Sequence, residues 1–367
     1  MKKILLLSVI ILTVISFRVN VSATQDFKEE ISDKLFSSFD KEVYDAMEDF
    51  GITGLETDEI FDISFDSVFS YFKNNINVLF SDSIRMFSKI FILIFIVGVM
   101  GILFDNKDYK RILSLVSVIC TTVIIVEEVN LCLSSAASLI KLNNSFMLTF
   151  APIYAIVITA SGNPSLALTY NTVILGLSEL ISFFINYGLI DLLGCYFCLC
   201  VALSVNQNIN YSRIISSVNR ASSFILGLLS SVFASVLSLR GVMSAASDGV
   251  VSKGIRFAAG SLIPVIGSSI SEAYSAILGS INIIKGSVAI VGIIAVLLIN
   301  LPVIIEILLF NISLNCLSFI SEILDCRELT NALKGFAGGI KILGLLVIFE
   351  MIVFIISTSV MLSLKGG

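Results

Sequence analysis

Apolar segments long enough to cross a lipid bilayer recur from residue 86 to the end of the chain, and this feature constrains the fold most. A helix needs about 20 apolar residues to cross a hydrocarbon core of ~30 Å. The chain of 367 residues is 56% hydrophobic and 14% charged, whereas a soluble domain is about 25% charged. Its mean hydropathy is +1.00. A single soluble core cannot hide this many apolar side chains, so the sequence predicts an all-α polytopic membrane protein.

Histidine and tryptophan are absent, and the missing histidine removes much of enzyme chemistry. It excludes a Ser-His-Asp triad, a Cys-His dyad and every histidine-ligated zinc, iron or haem site. No glycine-rich loop of the G-x-x-x-x-G-K-[ST] type is present, so the chain does not use ATP by that route. The net charge of -5 argues against nucleic-acid binding. We therefore predict that the protein is not an enzyme and has no catalytic residue, cofactor or metal site.

Cys195 and Cys198 have the C-x-x-C spacing that serves redox or metal chemistry in other contexts. Here the pair, followed by Cys200, lies in an apolar segment of a chain without histidine. The sequence therefore favours small apolar core residues over a redox or metal site.

Residues 1–23 have the organisation of a secretory signal peptide. A basic start precedes the apolar run Ile4–Phe17, which is too short to span a bilayer comfortably. Val21-Ser22-Ala23 then supplies the small residues of a cleavage site, and cleavage is predicted after Ala23. Arg18 lies close to this site and leaves an uncleaved anchor open as the alternative.

Residues 24–85 form an acidic segment that the signal peptide would export. Residues 24–89 hold fifteen acidic and six basic side chains. Apolar residues recur every four positions and predict a helix with an apolar stripe, formed by Phe27, Ile31, Leu35, Phe39, Val43 and Met47. Residues 51–54 break this helix, and Phe65–Phe80 predicts a second one. The segment is either a helical hairpin with solvated acidic faces or a docking surface, and the stripe would pack on itself, on a partner or on the bilayer.

Met86–Phe104 is the first predicted span, and it sets the orientation of the chain. Three basic residues follow it in one short loop, at Lys107, Lys110 and Arg111. If residues 24–85 are exported, this loop is cytoplasmic, as the positive-inside rule expects.

The polytopic domain, residues 86–367, is predicted to contain about seven to nine transmembrane helices. The spans at 166–184 and 189–203 are expected to form a tight hairpin around Asn186-Tyr187-Gly188. Residues 286–301 and 303–320 are either two spans or one helix kinked at Pro302. The other spans are predicted at residues 112–126, 145–160, 221–239 and 343–364.

Residues 241–285 are too polar for lipid-facing spans and too apolar for a long solvated loop. They hold 21 Gly, Ser and Ala residues in 45 positions, together with five charged side chains. Irregular backbone is tolerated at membrane depth only where it is buried in protein or lines water. Two interpretations fit: a re-entrant or interfacial pair of helices broken near Pro264, or two amphipathic helices lying flat on the membrane.

Charged side chains at membrane depth are the candidate functional residues, because an ionised group there costs ~2.5–3.5 kcal/mol and is usually paired or functional. The candidate polar path or gate consists of Glu179, Asp248, Lys253, Arg256, Glu272 and Glu350. Glu350 lies well inside the last span, and a hydrogen-bonded packing role is its alternative.

A face of small residues is the second candidate feature. It is formed, four residues apart within one span, by Ser223, Gly227, Ser231 and Ser235. Small residues let membrane helices approach closely. The face predicts helix packing within the chain or between copies, which leaves a homo-oligomer open.

The small-residue-rich segment and the residues after it carry a resemblance to a known family. The matching stretches are Ser244–Val250, Lys253, Arg256–Phe257, Gly260, Ile263–Gly267, Ser271–Ala273 and Val288–Gly292. Together with the signal peptide, the acidic segment and the polytopic remainder, they make the chain similar to stage III sporulation protein AE of endospore-forming bacteria. The resemblance implies no catalytic residue.

What the resemblance implies is a multi-pass protein of the mother-cell membrane that becomes the outer forespore membrane. Its partners would be the other stage III sporulation A-operon proteins, including a separate ATPase and ring-forming proteins, and a forespore membrane partner. The assembly would resemble a secretion-like channel, with this chain as a membrane-embedded core component in contact with lipid. Two other hypotheses remain: a self-sufficient secondary transporter using Glu350 or Glu179, and an intramembrane enzyme, which no paired-carboxylate or Ser-Lys spacing supports.

Overall fold

Long helices dominate a computed structural model that describes residues 25–39, 41–49, 51–55, 65–103, 107–169, 171–172, 175–204, 216–218, 220–235 and 267–363. The helices are α1 (25–36), α2 (Lys41–Asp49), α3 (Phe65–Leu103), α4 (Lys107–Ala160), α5 (Pro164–Thr169), α6 (Leu175–Phe184), α7 (Ile190–Ser204), α8 (220–235), α9 (Gly267–Ile323) and α10 (Arg327–Ser363). No strand occurs in these ranges. The predicted all-α class is confirmed.

Five helical segments among the described residues are long and apolar enough to cross a membrane. They are Ser83–Gly101, Ile112–Ala160, Leu175–Ala202, Ser275–Ile323 and Arg327–Ser359. This agrees with an all-α membrane protein. The count of seven to nine spans stays a prediction, and so do the domain boundaries at residues 23 and 85.

Residues 112–126 and 145–160 belong to one helix, α4, so their prediction as separate spans is wrong. The half-polar stretch between them stays helical because its apolar positions are buried, with Val129 2%, Ala136 0% and Ile140 0% exposed. Pro152 lies inside α4 without ending it. In the same way α9 runs through Pro302, which supports one helix over two spans there.

The predicted hairpin at Asn186-Tyr187-Gly188 is also wrong. These residues lie in a π-helical turn, Ile185–Leu189, that joins α6 directly to α7. The residues on either side of the turn, Phe184 and Ile190, keep right-handed helical backbone angles, so the chain does not reverse. A π turn absorbs an extra residue within a helix and is often found near functional sites.

The long helices pack antiparallel to one another, and contacts near both ends of α4 show this. The Ser114 hydroxyl on α4 donates to the Glu328 carboxylate on α10 at 2.9 Å, near the α3–α4 and α9–α10 connections. At the far end of α4, Gly162 lies 3.5 Å (from an ideal Cβ) from the Leu278 side chain on α9. Helix α7 packs against α10, where the Tyr196 hydroxyl donates to the Gly335 carbonyl at 2.6 Å. The buried apolar side chains of these helices form one continuous hydrophobic core.

The C-termini of α4 and α9 have the same capping geometry. After α9, the Cys326 N–H bonds to the Ser321 carbonyl and the Asp325 N–H to the Glu322 carbonyl. After α4, Gly162 occupies the equivalent position, and both Asp325 and Gly162 have positive φ, 53° and 85°. This pattern is a Schellman motif, which favours glycine or a short polar residue at the left-handed position.

The predicted apolar stripe of the acidic segment is buried. Ile31, Leu35 and Met47 are at most 1% exposed, and Phe39 and Val43 are 9% and 7% exposed. The stripe is shared by two helices, α1 and α2, because the chain turns at residues 37–39. It packs within this chain: the Phe39 ring stacks on Phe146 of α4 with centroids 5.8 Å apart.

The docked position of α2 leads to a labelling prediction. On a background in which the seven native cysteines are replaced, Val43→Cys should react with a membrane-impermeant maleimide at least about tenfold more slowly than Asp45→Cys, because only docked, buried positions need local opening to react. Adding Phe146→Ala should remove most of this protection. Equal rates at the two positions in the parent protein would contradict the docking.

Candidate functional site

The polar centre of the bundle is the Glu350 carboxylate, which α10 places 8% exposed among four helices. The Ser182 hydroxyl of α6 donates to Glu350 Oε1 at 3.0 Å. Glu350 Oε2 is buried, and the described part of the chain forms no hydrogen bond to it. A buried polar atom without a partner costs about 1–3 kcal/mol, and more when it is charged.

A reciprocal amide pair lies beside this carboxylate. The Asn143 side chain of α4 donates to Asn300 Oδ1 of α9 at 2.9 Å, and Asn300 donates back to Asn143 Oδ1 at 2.9 Å. Asn300 also donates to the Val296 carbonyl at 2.8 Å. Asn143 and Asn300 are 6% and 0% exposed, and each amide supplies the other with a hydrogen-bond partner. The pair connects α4 to α9 at the level of Glu350.

A cavity of about 20 Å³ lies at this meeting point. Its polar lining comes from Glu350, Asn143, Asn144, Ser178 and Ser182, and apolar side chains form the remaining walls. A volume of this size holds about one water molecule, which also needs at least two polar partners. The cavity is therefore about the size of one water molecule.

Helical spacing explains which α6 side chains reach the site. Ser178 and Ser182 are four residues apart, share one helix face and are 8% and 6% exposed. Glu179 lies one residue after Ser178 and is exposed on the outer side of α6. The structure therefore brings Glu350 to the site and leaves Glu179 outside it.

The structure does not describe the side chains of the other predicted polar-path residues. Asp248, Lys253 and Arg256 lie outside the described residues, and Glu272 lies in α9 with its side chain outside the description. The predicted small-residue face is exposed: Gly227 has open space around it, and Ser231 and Ser235 bond to carbonyls of their own helix.

Most of the residues that surround Glu350 were not predicted from the sequence. They are Asn143, Asn300, Ser178 and Ser182. Two signals could have identified them: a lone amide inside the apolar segment 286–301, and two hydroxyls four residues apart near Glu179. Lys285 of α9, 3% exposed, is a second buried basic or acidic side chain that was not among the predicted site residues.

The cysteines support only part of the core interpretation. Cys200 is 2% exposed, but Cys195 and Cys198 are exposed on the outer face of α7, so their prediction as core residues is wrong. All three are free thiols. The described residues contain no group of three His, Cys, Asp or Glu side chains able to hold a metal ion.

Fold and site define an all-α membrane protein whose long helices enclose a buried carboxylate with amide and hydroxyl neighbours. The chain belongs to the stage III sporulation protein AE family, whose model matches residues 51–365. It is 20% identical over 190 residues to stage III sporulation protein AE of Bacillus subtilis (strain 168), a match that covers 52% of this chain and 48% of that protein. The match thus spans about half the length of that curated relative. No solved structure matches the chain.

Proposed function

We propose that this chain is a membrane-embedded core or channel component of the secretion-like transport complex that joins the mother cell to the forespore during endospore formation. It acts in the mother-cell membrane that surrounds the forespore, with residues 24–85 on the extracytoplasmic side. Its partners are the other proteins of the same sporulation operon, including a separate ATPase and ring-forming proteins, and a forespore membrane protein. Family membership supports the sporulation role.

The observation that carries the proposal is the length of the helices. Helix α4 has 54 residues and α9 has 57, which at 1.5 Å per residue gives lengths of about 80–85 Å. The hydrocarbon core of a bilayer is only ~30 Å thick. A bundle this long extends well past one membrane, as a component that meets partners between two membranes must do.

The three basic residues predicted to lie in a loop after the first span belong instead to the first turns of α4. The positions of these basic turns and of α2 support one orientation. Ser114 lies close to the basic turns, and Asn143 lies 29 residues further along α4, about 44 Å away along the helix axis. The turn before α2 packs at Phe146 through Phe39, close to Asn143. The basic start of α4 and the turn before α2 thus lie at different levels along α4, which supports a cytoplasmic position for the first and an extracytoplasmic position for the second.

The exposed small-residue face on α8 is the surface through which the chain would assemble with other helices. The opposite side of α8 packs onto the bundle through Leu229 and Phe233, both 5% exposed. None of the described residues covers the small face, which can therefore meet a helix of another copy or of a partner. Close backbone approach at such faces drives association where lipid offers no hydrophobic force.

Co-purification tests this function. In an endospore-forming host, the affinity-tagged chain should bring down several membrane proteins and an ATPase. Gly227→Leu should lower this recovery about tenfold, equivalent to about 1.4 kcal/mol of lost contact, without lowering the melting temperature of the purified chain. Gly279→Leu is the matched control, because both glycines are exposed with open space around them. Recovery of no other sporulation protein would contradict the proposal.

A self-sufficient secondary transporter is the second candidate, and the burial of Glu350 favours it. Intramembrane carboxylates mark substrate and ion pathways in many transporters. This alternative predicts flux into liposomes that contain only this protein, and loss of that flux in Glu350→Gln. A core component of a larger complex predicts no flux from the chain alone.

A further inference from the structure

We propose that a polar face on α9 and α10 lines a water-filled path through which small anions cross the membrane. The residues of this polar face are all exposed, and they are Asn315, Glu322, Arg327, Asn331, Lys334 and Lys341. The inference rests on the proposed role of the chain as a channel component, and it names the class of solute that the channel would pass.

On α10 the polar face is a narrow stripe with a seven-residue repeat. Arg327, Lys334 and Lys341 are each seven residues apart, so they lie nearly above one another on one side of the helix. The other sides of this stretch are packed, and Leu333 and Phe336 are 0% exposed. The basic stripe therefore runs along the helix axis for about 21 Å.

Helix α9 supplies the adjoining part of the polar face. The Asn311 side-chain amide donates to the Ala337 carbonyl of α10 at 2.7 Å, which holds this stretch of α9 against α10. Asn315, one turn further along, donates to the Asn311 carbonyl at 2.7 Å and remains exposed. Polar groups of two helices thus form one continuous surface.

A hydrogen bond between α4 and α10 fixes the depth of the polar face. Ser114 of α4 donates to Glu328 of α10 at 2.9 Å, and both helices run away from this point in the same direction. Val116 comes two residues after Ser114, and Asn331 comes three residues after Glu328. The two positions therefore lie within about 2 Å of the same depth.

At this depth α4 exposes large apolar side chains. They lie at the start of the segment Ile112–Ala160, which is able to cross a membrane. Their exposed fractions range from 46% to 69%, and they are Ile112, Val116, Ile119 and Val123. Such a surface faces lipid, so the polar face on α9 and α10 lies at membrane depth on another side of the bundle.

Lipid cannot cover the polar face at that depth. Ionised side chains within membrane segments face a water-filled cavity or a polar partner, because hydrocarbon does not solvate them. A lysine near a helix end can extend its charged group to the membrane surface. A stripe that is about 21 Å long along the axis cannot bring all its basic groups to one surface in this way.

Water suits the polar face better than a partner helix does. Lys334 donates to the Glu322 carboxylate at 2.8 Å, and their side chains are 49% and 63% exposed. Arg327 donates to Asp325 at 3.0 Å. These charges already have partners, and covering them with protein would remove their water without supplying a new counter-charge, which is costly.

The sign of the charge favours anions. Glu322 offsets Lys334 and Asp325 offsets Arg327, whereas Lys341 forms no ion pair with the residues that the structure describes. Three basic side chains and two carboxylates leave one positive charge on this surface. A path with a positive lining concentrates anions and repels cations.

Thiol reactivity in membranes of the sporulating host, opened by freezing and thawing, tests the water-filled path. On a background in which the seven native cysteines are replaced, Asn331→Cys should react with a water-soluble methanethiosulfonate at least about tenfold faster than Val116→Cys. The reason is that the thiolate is the reactive form and an apolar environment disfavours it. Both positions are exposed and equally deep, so Val116→Cys is the matched control. Asn315→Cys should react as Asn331→Cys does.

The charge of the reagent tests the preference for anions. After division by the rates with a free thiol, Asn331→Cys should react at least about threefold faster with the anionic ethylsulfonate reagent than with the cationic trimethylammonium reagent. Arg327 and Lys334 lie one turn before and one turn after this position, close enough for their charges to act through water. Lys334→Gln should lower the ratio at least about threefold. Lys89→Gln, which removes an exposed lysine of α3, should leave it unchanged.

Three results overturn the proposal. Equally slow reaction of Asn331→Cys and Val116→Cys in membranes shows that lipid or protein covers the polar face. Rapid reaction of Asn331→Cys in the detergent-purified chain alone assigns the face to a partner protein. A normalised ratio of one or below shows that the path does not favour anions. Co-purification of the other sporulation proteins does not depend on these results, so it tests the proposed function separately.

Discussion

Gly292→Leu is expected to destabilise the protein by at least about 3 kcal/mol, the upper part of the range for overpacked cores. Gly292 lies on α9 where this helix crosses α4, and a Cβ added there would overlap the ring of Phe150. Phe150 is fully buried and is stacked between Phe146 and Tyr154, so its ring has no free space to enter. The expected measurement is a large fall in the melting temperature of the detergent-purified protein, together with poor recovery from membranes.

Gly279→Leu is the control for this change. It lies on the same helix, is exposed, and has no atom within 4 Å of an added Cβ, so its melting temperature should stay close to that of the parent. Combining Gly292→Ala with Phe150→Leu should recover part of the stability lost by Gly292→Ala alone, because the smaller side chain vacates the overlap. A Gly292→Leu protein as stable as the Gly279→Leu protein would show that the helices do not meet at this point.

Asn300→Leu is the second change with a large expected effect, a loss of about 2 kcal/mol. It removes both hydrogen bonds of the reciprocal pair and leaves the Asn143 amide buried without its partner. The same change places an apolar side chain next to the Glu350 site. Thermal unfolding of the detergent-purified variant should therefore shift to a lower temperature.

A double mutant separates the pair from the individual residues. Asn143→Leu with Asn300→Leu removes both amides and should be more stable than the sum of the two single changes predicts, since no unpaired amide remains. Asn315→Leu is the matched control on α9, because its amide is exposed and bonds only within its own helix, to Asn311. Strict additivity of the Asn143 and Asn300 changes would contradict the pairing.

The sequence was sufficient for those parts of the fold that depend on local periodicity. The four-residue spacing predicted an apolar stripe in which Ile31, Leu35, Val43 and Met47 are buried and Phe27 is partly buried. The position of Glu350 deep in an apolar run likewise identified the buried carboxylate, since hydropathy alone shows that such a group needs neighbours. These features need no knowledge of which helices meet.

The rest depends on pairs of residues far apart in the chain. Asn143 and Asn300 are 157 positions apart, and each looks like a local irregularity until the other is opposite it. For the same reason the half-polar middle of α4 resembled a break between two spans. Ala136, Ile140 and Asn143 of this stretch are 0%, 0% and 6% exposed, so helix packing, which the sequence does not display, keeps the stretch inside one helix.

The docking of α2 also imposes an order on biogenesis. Val43 of α2 and Ile299 of α9 line the same cavity, yet they are separated by 256 residues in the chain. At a synthesis rate of about 5–20 residues per second, Ile299 is made on the order of 10–50 s after Val43. During that interval the apolar stripe has no α9 to cover it and needs shelter from lipid or a chaperone. The N-terminal helices therefore reach their final place only after the last long helix pair begins to assemble. Their docking is a late step, and only a chain whose last helices are correctly inserted can complete it.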